Sequence, residues 1–249
     1  MCRSAVVILA AVALIAAASA GKRPGRGQRG SSDQGKFLKE GFTQLFNGKD
    51  LTGWKAPEGD NGHWKVIGRV IDYDAQSEAK GDKNLWTEEE FGDFVLHVEW
   101  RLKDTPGLYP IPTVLPDGSE KTDANGKVIT EMKPNADSGI MLRGTGKAQV
   151  NIWCWPIGSG EVYGYRTDKK MPPEVRAGVT PKAHADNPVG QWNAFDITMK
   201  GDRLTVVLNG KTVIDDAQLP DVPKNGPIGL QHHGGIDKKT GKHGGASSL

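Results

Sequence analysis

Four short segments carry the side chains whose types and spacing could do chemistry: "DSGIMLRG" (137–144), "AQVNIWCW" (148–155), "GEVYGYR" (160–166) and "GPIGLQHHGG" (226–235). Each alternates apolar and polar residues, and in an extended strand residues two apart share a face. In the first, Ile140 and Leu142 take one face, so Asp137, Gly139, Met141 and Arg143 take the other. In the second, Val150, Ile152 and Cys154 have the core parity, leaving Gln149, Asn151 and Trp153 opposite; the third places Glu161 with Tyr163. In the last, Ile228, Leu230 and His232 share the core parity, while Gly229, Gln231 and His233 share the other. Two adjacent histidines cannot then serve one site, and His233 is the candidate. One sheet face would carry a guanidinium, amides, carboxylates, a phenol and an indole. That set suits a sugar: planar polar groups for hydroxyls, an aromatic face for the ring. The alternative is a solvated face with an Arg143 ion pair, and Trp153, a large aromatic amid amides, weighs against it.

Other chemistries find less support. The chain has no nucleophile elbow, Walker motif, dinucleotide fingerprint or His-x-x-x-His zinc pattern. Asp137 and Glu161 supply the two carboxylates that an ordinary glycosidase needs, so counting leaves that mechanism open. Asp117, Asp123 and Asn125 offer oxygen ligands, but their spacing fits no EF-hand loop, and a solvated turn is the reading adopted. No cofactor is prescribed; a divalent metal on the oxygen-rich face stays open. His97 with Glu99 reads as an exposed strand face, and His63 and His184 as isolated loop or edge residues.

Strands must position these groups. "FVLHVEWRL" (94–102) alternates, with Phe94, Leu96, Val98 and Trp100 facing one way. In "WNAFDITMKGDRLTVVLNGKTVI" (192–214), Phe195, Ile197 and Met199 are followed by a Gly201-Asp202 turn, then Leu204, Val206 and Leu208, then Asn209-Gly210, a type I′ hairpin signal. No long stretch has helical periodicity and strands do not alternate with helices, so the expectation is an all-β, antiparallel β-sandwich. Residues 105–136, rich in proline and turn residues, read as a long loop or hairpin insertion.

The first twenty residues read as a cleaved leader: a short basic start, an apolar run of fourteen, then Ala18-Ser19-Ala20. The run is short for a membrane span, and Cys2 precedes it, where a lipid-anchoring cysteine would follow. These features predict export to the periplasm or beyond, with no transmembrane anchor after cleavage. Residues 21–40 read as a flexible linker, since 21–36 hold five basic residues against Asp33 alone among Gly and Ser. The remainder, 41–249, is close to neutral, which argues against nucleic acid as a partner. Cys154 is then the only thiol, so an internal disulfide is excluded and a buried structural role is expected.

Taken in order, "FTQLFNGKDLTGW" (42–54), "DSGIMLRG", "GSGEVYGYRTD" (158–168), "GQWNAFDITMKGDRLTVVLNGKTV" (190–213) and "GPIGLQHHG" resemble the blocks of the 3-keto-disaccharide hydrolase family. The resemblance covers roughly residues 41–235. It implies a concanavalin A-like jelly roll and cleavage of 3-keto-glycosides. A C3 ketone acidifies the C2 proton, so a base removes it, the enolate expels the C1 substituent, and water adds back. Set against the needs of that chemistry, the hypothesis is that Arg143 stabilises the oxyanion, His233 or Glu161 transfers the proton, and Tyr163 stands on the leaving-group side. Gln149, Asn151 and Gln231 would hold hydroxyls, and Asp137 and Trp153 would bind substrate. Two departures stand out. Gln149 and Asn151 occur where the family has Glu and Gln, with Glu161 at a position usually small. After "GLQHHG" the chain reads "GIDKKTGKHGGASSL", where the family has a final Phe-Arg-Asn strand, so either the sequence is a fragment or that strand is absent, and its absence would leave an open sheet edge able to pair with another chain. A non-catalytic carbohydrate-binding module and a laminin-G-type adhesion domain are the alternatives.

Overall fold

The structure is a computed structural model that describes residues 6–17, 34–105, 107–236 and 243–244. Its strands in chain order are β1 (Val6–Ala17), β2 (Thr43–Gln44), β3 (Trp54–Lys55), β4 (Trp64–Ile67), β5 (Val70–Tyr73), β6 (Leu85–Phe91), β7 (Phe94–Asp104) and β8 (Tyr109–Pro112). There follow β9 (Thr130–Lys133), β10 (Asp137–Leu142), β11 (Thr145–Trp153), β12 (Asn193–Lys200), β13 (Arg203–Leu208), β14 (Lys211–Gln218) and β15 (Gly226–Leu230). A last pair, β16 (Gly235–Ile236) and β17 (His243–Gly244), and three short helices, α1 (Gln34–Lys39), α2 (Tyr163–Arg166) and α3 (Pro173–Gly178), complete the described set.

Two antiparallel sheets form the sandwich. One has the order β14-β13-β12-β7-β1-β5-β4, with β2 on β1; the other runs β11-β10-β15-β6-β3. The alternation read from the sequence sets the inner faces. Phe94, Leu96, Val98 and Trp100 of β7, Phe195, Ile197 and Met199 of β12, and Leu204, Val206 and Leu208 of β13 are buried in one cluster. The same cluster includes Ile140 and Leu142 of β10, Val150 and Ile152 of β11, and Ile228 and Leu230 of β15, so both sheets share one core. Asn209 and Gly210 take φ of 51° and 80°, the positive pair that a two-residue hairpin needs to match the strand twist.

Three places differ from the sequence reading or add to it. The apolar run expected to be a leader supplies β1, which pairs with β7 on one side and β5 on the other; residues 1–5 and 18–20 lie outside the described residues. Residues 34–39 of the expected linker form α1, while 18–33 lie outside the described residues. His97, expected to be exposed, is 1% exposed, because Phe37 of α1 stacks on its ring at 4.5 Å. Its Nδ1 lies 2.7 Å from Asp196 Oδ1, which compensates for the burial.

The 105–136 stretch forms a β8–β9 ribbon extended by bridges Val114↔Glu120 and Thr122↔Val128. Ile111 anchors the ribbon on Trp153 and Trp155, a small apolar cluster separate from the main core. The segment expected to lack a final strand is described only at Gly235–Ile236 and His243–Gly244, which pair with each other; the rest of 237–249 lies outside the described residues.

Candidate active site

The outer face of the β11-β10-β15-β6-β3 sheet carries the polar residues in rows set by the strand register. Gln149, Met141, Gly229, Trp86 and Lys55 stand across one row, through the pairings Gln149↔Met141, Met141↔Gly229, Gly229↔Trp86 and Trp86↔Lys55. The next row holds Asn151 opposite Gly139, with the Gln231 N–H donating to the Gly139 carbonyl at 2.9 Å. The third holds Trp153 opposite Asp137, with His233 beside it. Two glycines keep the floor flat. A Cβ on Gly139 would meet Gln149 Cγ at 2.6 Å, and one on Gly229 would meet the Trp86 ring at 2.5 Å.

His233 Nε2 lies 3.5 Å from Asp137 Oδ2, with the two side chains 22% and 15% exposed. The other polar atom of each, Asp137 Oδ1 and His233 Nδ1, is buried without a protein partner. Burial pushes the Asp137 carboxyl up to about 6, and the His233 charge only partly opposes it. A carboxylate of this kind is basic enough to take a proton near neutral pH and has a free oxygen to do so. The neighbouring His232 points the other way. Its Nε2 accepts from the Ser77 N–H at 3.2 Å, and its ring packs edge-on against Tyr73, so it closes the end of the core. Burial pulls it down to about 4, so it is neutral at physiological pH.

The amides form one network. Gln149 Nε2 donates to Gln231 Oε1 at 2.8 Å and to Asn151 Oδ1 at 3.0 Å. This spends acceptors on Asn151 and Gln231 and leaves their NH2 groups to face the groove as donors. Tyr163 stands at the edge, 37% exposed, with its ring edge-on to Trp153 and Trp155 at 6.1 and 6.5 Å. Burial, then Glu120 and Asp137, raise its phenol, which therefore stays protonated as a donor. Asp137, Gln149, Asn151, Gln231, His233 and Tyr163 are thus brought to one face. Among the described residues no group of three or more His, Cys, Asp or Glu side chains is placed to hold a metal ion.

Arg143, Glu161 and Trp153 stand differently from the sequence reading. Arg143 sits in the turn between β10 and β11 at φ 50°, where the two-residue alternation ends. Its guanidinium donates to the carbonyls of Gly92, Gly201 and Pro223 at 2.7–2.9 Å and to Asp93 at 3.0 Å. It ties three loops together and has no free N–H pair for an oxyanion at the Asp137 end. Glu161 precedes α2 instead of lying on a strand, so parity with Tyr163 does not hold. Its carboxylate is fully buried against Arg166, whose Nη1 also holds the Gly118 carbonyl of the insertion. Trp153 is 3% exposed, stacked on Trp155 at 4.1 Å and 5°, with Nε1 donating to the Gly158 carbonyl. Its face is covered, and Tyr163 is the aromatic left open beside Asp137. Cys154 is half-buried, and burial pushes its thiol up to about 12, which leaves it unreactive.

Sequence reasoning missed Trp86. In "LWTEEEF" it shares the parity of Glu88 and Glu90 while Leu85 and Thr87 face inward, the same signal of an aromatic on a polar face that drew attention to Trp153.

No curated protein matches the chain. Among solved structures, three candidate glycosyl hydrolases from Parabacteroides distasonis are similar to it. The first is 18% identical with TM-score 0.49, covering 82% of this chain and 91% of that one. The second is 22% identical with TM-score 0.45 over 76% and 75%, and the third 17% identical with TM-score 0.41 over 74% and 87%. The family model described as the 3-keto-alpha-glucoside-1,2-lyase-like domain matches residues 41–240, which hold every strand of the two sheets except β1 and every residue of the site just described, and the chain belongs to that family.

Proposed function

We propose that this protein is an exported glycoside-cleaving enzyme that acts on 3-keto-glucosides by C2 proton abstraction and elimination, followed by hydration. The observation that carries the reading is the Asp137–His233 pair, each with an uncommitted buried atom, beside a set of amide donors on one sheet face. Asp137, ionised above about pH 6, takes the C2 proton. His233 sits against the carboxylate and holds it in place. Negative charge then builds on the C3 oxygen, and the NH2 groups of Asn151 and Gln231 are the donors available to it, in place of Arg143. The C1–O bond breaks as the 1,2 double bond forms, and the Tyr163 phenol supplies the proton to the departing oxygen. Water then adds at C1 and a proton returns to C2, completing net hydrolysis; release before hydration would give lyase chemistry from the same steps.

Asp137 compensates for the absence of a carboxylate at Gln149. In place of the Glu of the related pattern, Gln149 organises the amides, and the acid-base work moves one strand across to Asp137. The test is exchange of the C2 proton of a 3-keto-glucoside in deuterated water, together with release of its aglycone. Exchange and release by the native chain, both lost in Asp137→Asn, are expected. Saccharide binding without exchange would instead establish a carbohydrate-binding module, and failure to bind any saccharide would point to an adhesion domain.

A further inference from the structure

Trp86 is unused by the chemistry above and is placed as if to bind. It lies on the same outer face as the amides, in the row of Gln149, Met141 and Gly229. Its six-membered ring rests on Gly229, where no Cβ could fit, so the indole lies down against the sheet. Its Nε1 donates to Asp82 Oδ2 at 2.5 Å, which fixes the ring from the other edge. It belongs to neither hydrophobic cluster, and it is half-buried, unlike the covered Trp153. A flat, partly open indole held by backbone below and a carboxylate at its rim is a stacking platform for the apolar face of a pyranose ring.

Its distance from Asp137 says which ring. The Trp86 row is four residues along the strands from the Asp137 row, ~14 Å at roughly 3.4 Å per residue, and two strands across. No single sugar spans that gap. The Gln149, Asn151 and Gln231 amides occupy the interval, where an intervening ring would find hydroxyl partners. We infer that Trp86 forms a remote subsite for a further sugar ring, so that the preferred substrates are 3-keto-oligosaccharides longer than a disaccharide. When the oxidised ring is at the chain end, all further rings belong to the leaving group, and a ring on Trp86 is one of them. The inference rests on the function proposed above.

The test measures affinity in the full chain carrying Asp137→Asn, so that turnover does not interfere, using 3-keto-maltose and 3-keto-maltotriose by titration calorimetry. With Trp86 present, the trisaccharide should bind about tenfold more tightly than the disaccharide. Adding Trp86→Ala should bring the two affinities together, and Trp86→Phe should keep most of the difference. Equal affinities with Trp86 present overturn the subsite without recourse to any Trp86 variant, and a preference that survives Trp86→Ala overturns it too. Binding of neither sugar overturns the functional reading and the subsite with it, whereas binding of both without preference overturns the subsite alone.

Discussion

The imidazole of His233 stands 3.5 Å from the Asp137 carboxylate, and each keeps one buried polar atom with no protein partner. Structural ion pairs normally use up their hydrogen-bonding capacity when buried, because an unmet polar atom costs about 1–3 kcal/mol. Glu161 Oε2 and Arg166 Nη2 are also unpartnered but lie in a fully buried pair, whereas Asp137 and His233 are partly exposed at the groove, where a third party can reach them. Activity should therefore depend on ionised Asp137 and rise as pH increases through about 6. A pH profile of kcat/KM would check this, and Asp137→Asn should lower kcat by about 10²–10⁴.

The same carboxylate should cost stability. Its folded value of about 6 lies above its ordinary 3.8, so the folded state favours the protonated form. The penalty is about 3 kcal/mol above pH 6, where both states are ionised, and fades as pH falls toward 4. Asp137→Asn should accordingly raise the melting temperature at pH 7 while removing activity, with the stability gain shrinking at pH 4. Thermal melts at the two pH values give the comparison.

Arg143→Ala should act on folding. It strands three loop carbonyls that the buried guanidinium now satisfies, a loss of about 3 kcal/mol. Urea unfolding should show the loss, and the folded fraction should keep native kcat/KM on a 3-keto-glucoside. A large fall in kcat at unchanged stability would return Arg143 to the site.

The two adjacent histidines should separate cleanly. His232→Ala opens a gap against Tyr73 and frees the Ser77 N–H, so it should destabilise by about 1–3 kcal/mol. His233→Ala should instead lower turnover with a smaller effect on stability. Paired melts and kinetics on both variants would read this.

His97 gives a second pH signature of the same sign, at higher pH. Burial pulls its imidazole down, but hydrogen bonds with Asp196 and Glu99 outweigh this and hold it above the usual 6.5. Its contribution is complete below pH 6.5 and is lost as pH rises through the raised folded value. Asp196→Asn should flatten the alkaline side of the stability profile, as denaturant midpoints across pH 6–9 would show.

Period-two alternation located the core strands, the amide face and the split between His232 and His233, because all of these depend only on residues staying extended. It failed where the backbone leaves that state. Arg143 takes φ 50° in a hairpin turn, and Glu161 precedes a helical turn, so neither keeps the face that counting gives it. Trp153 has the predicted parity, yet Trp155 and the ribbon carrying Ile111 cover it, a long-range contact that no local pattern records. Trp86 was legible by parity but its value depends on Gly229 lying beneath it, which only strand register reveals.

Among the described residues β1 is the only strand joining β7 to β5, so without it the sheet that contains it divides into two blocks. Its partners are synthesised long after it, which gives this pairing a high contact order and makes it a late event in folding. During synthesis the apolar run is therefore left without its partner strands until β7 has been made. The face bearing Asp137, His233 and Trp86 belongs to the other sheet, none of whose strands pairs with β1. The N-terminal strand and the groove thus fall on separate layers of the sandwich, so the loss of that strand can change how its own sheet assembles without altering the register that sets the groove.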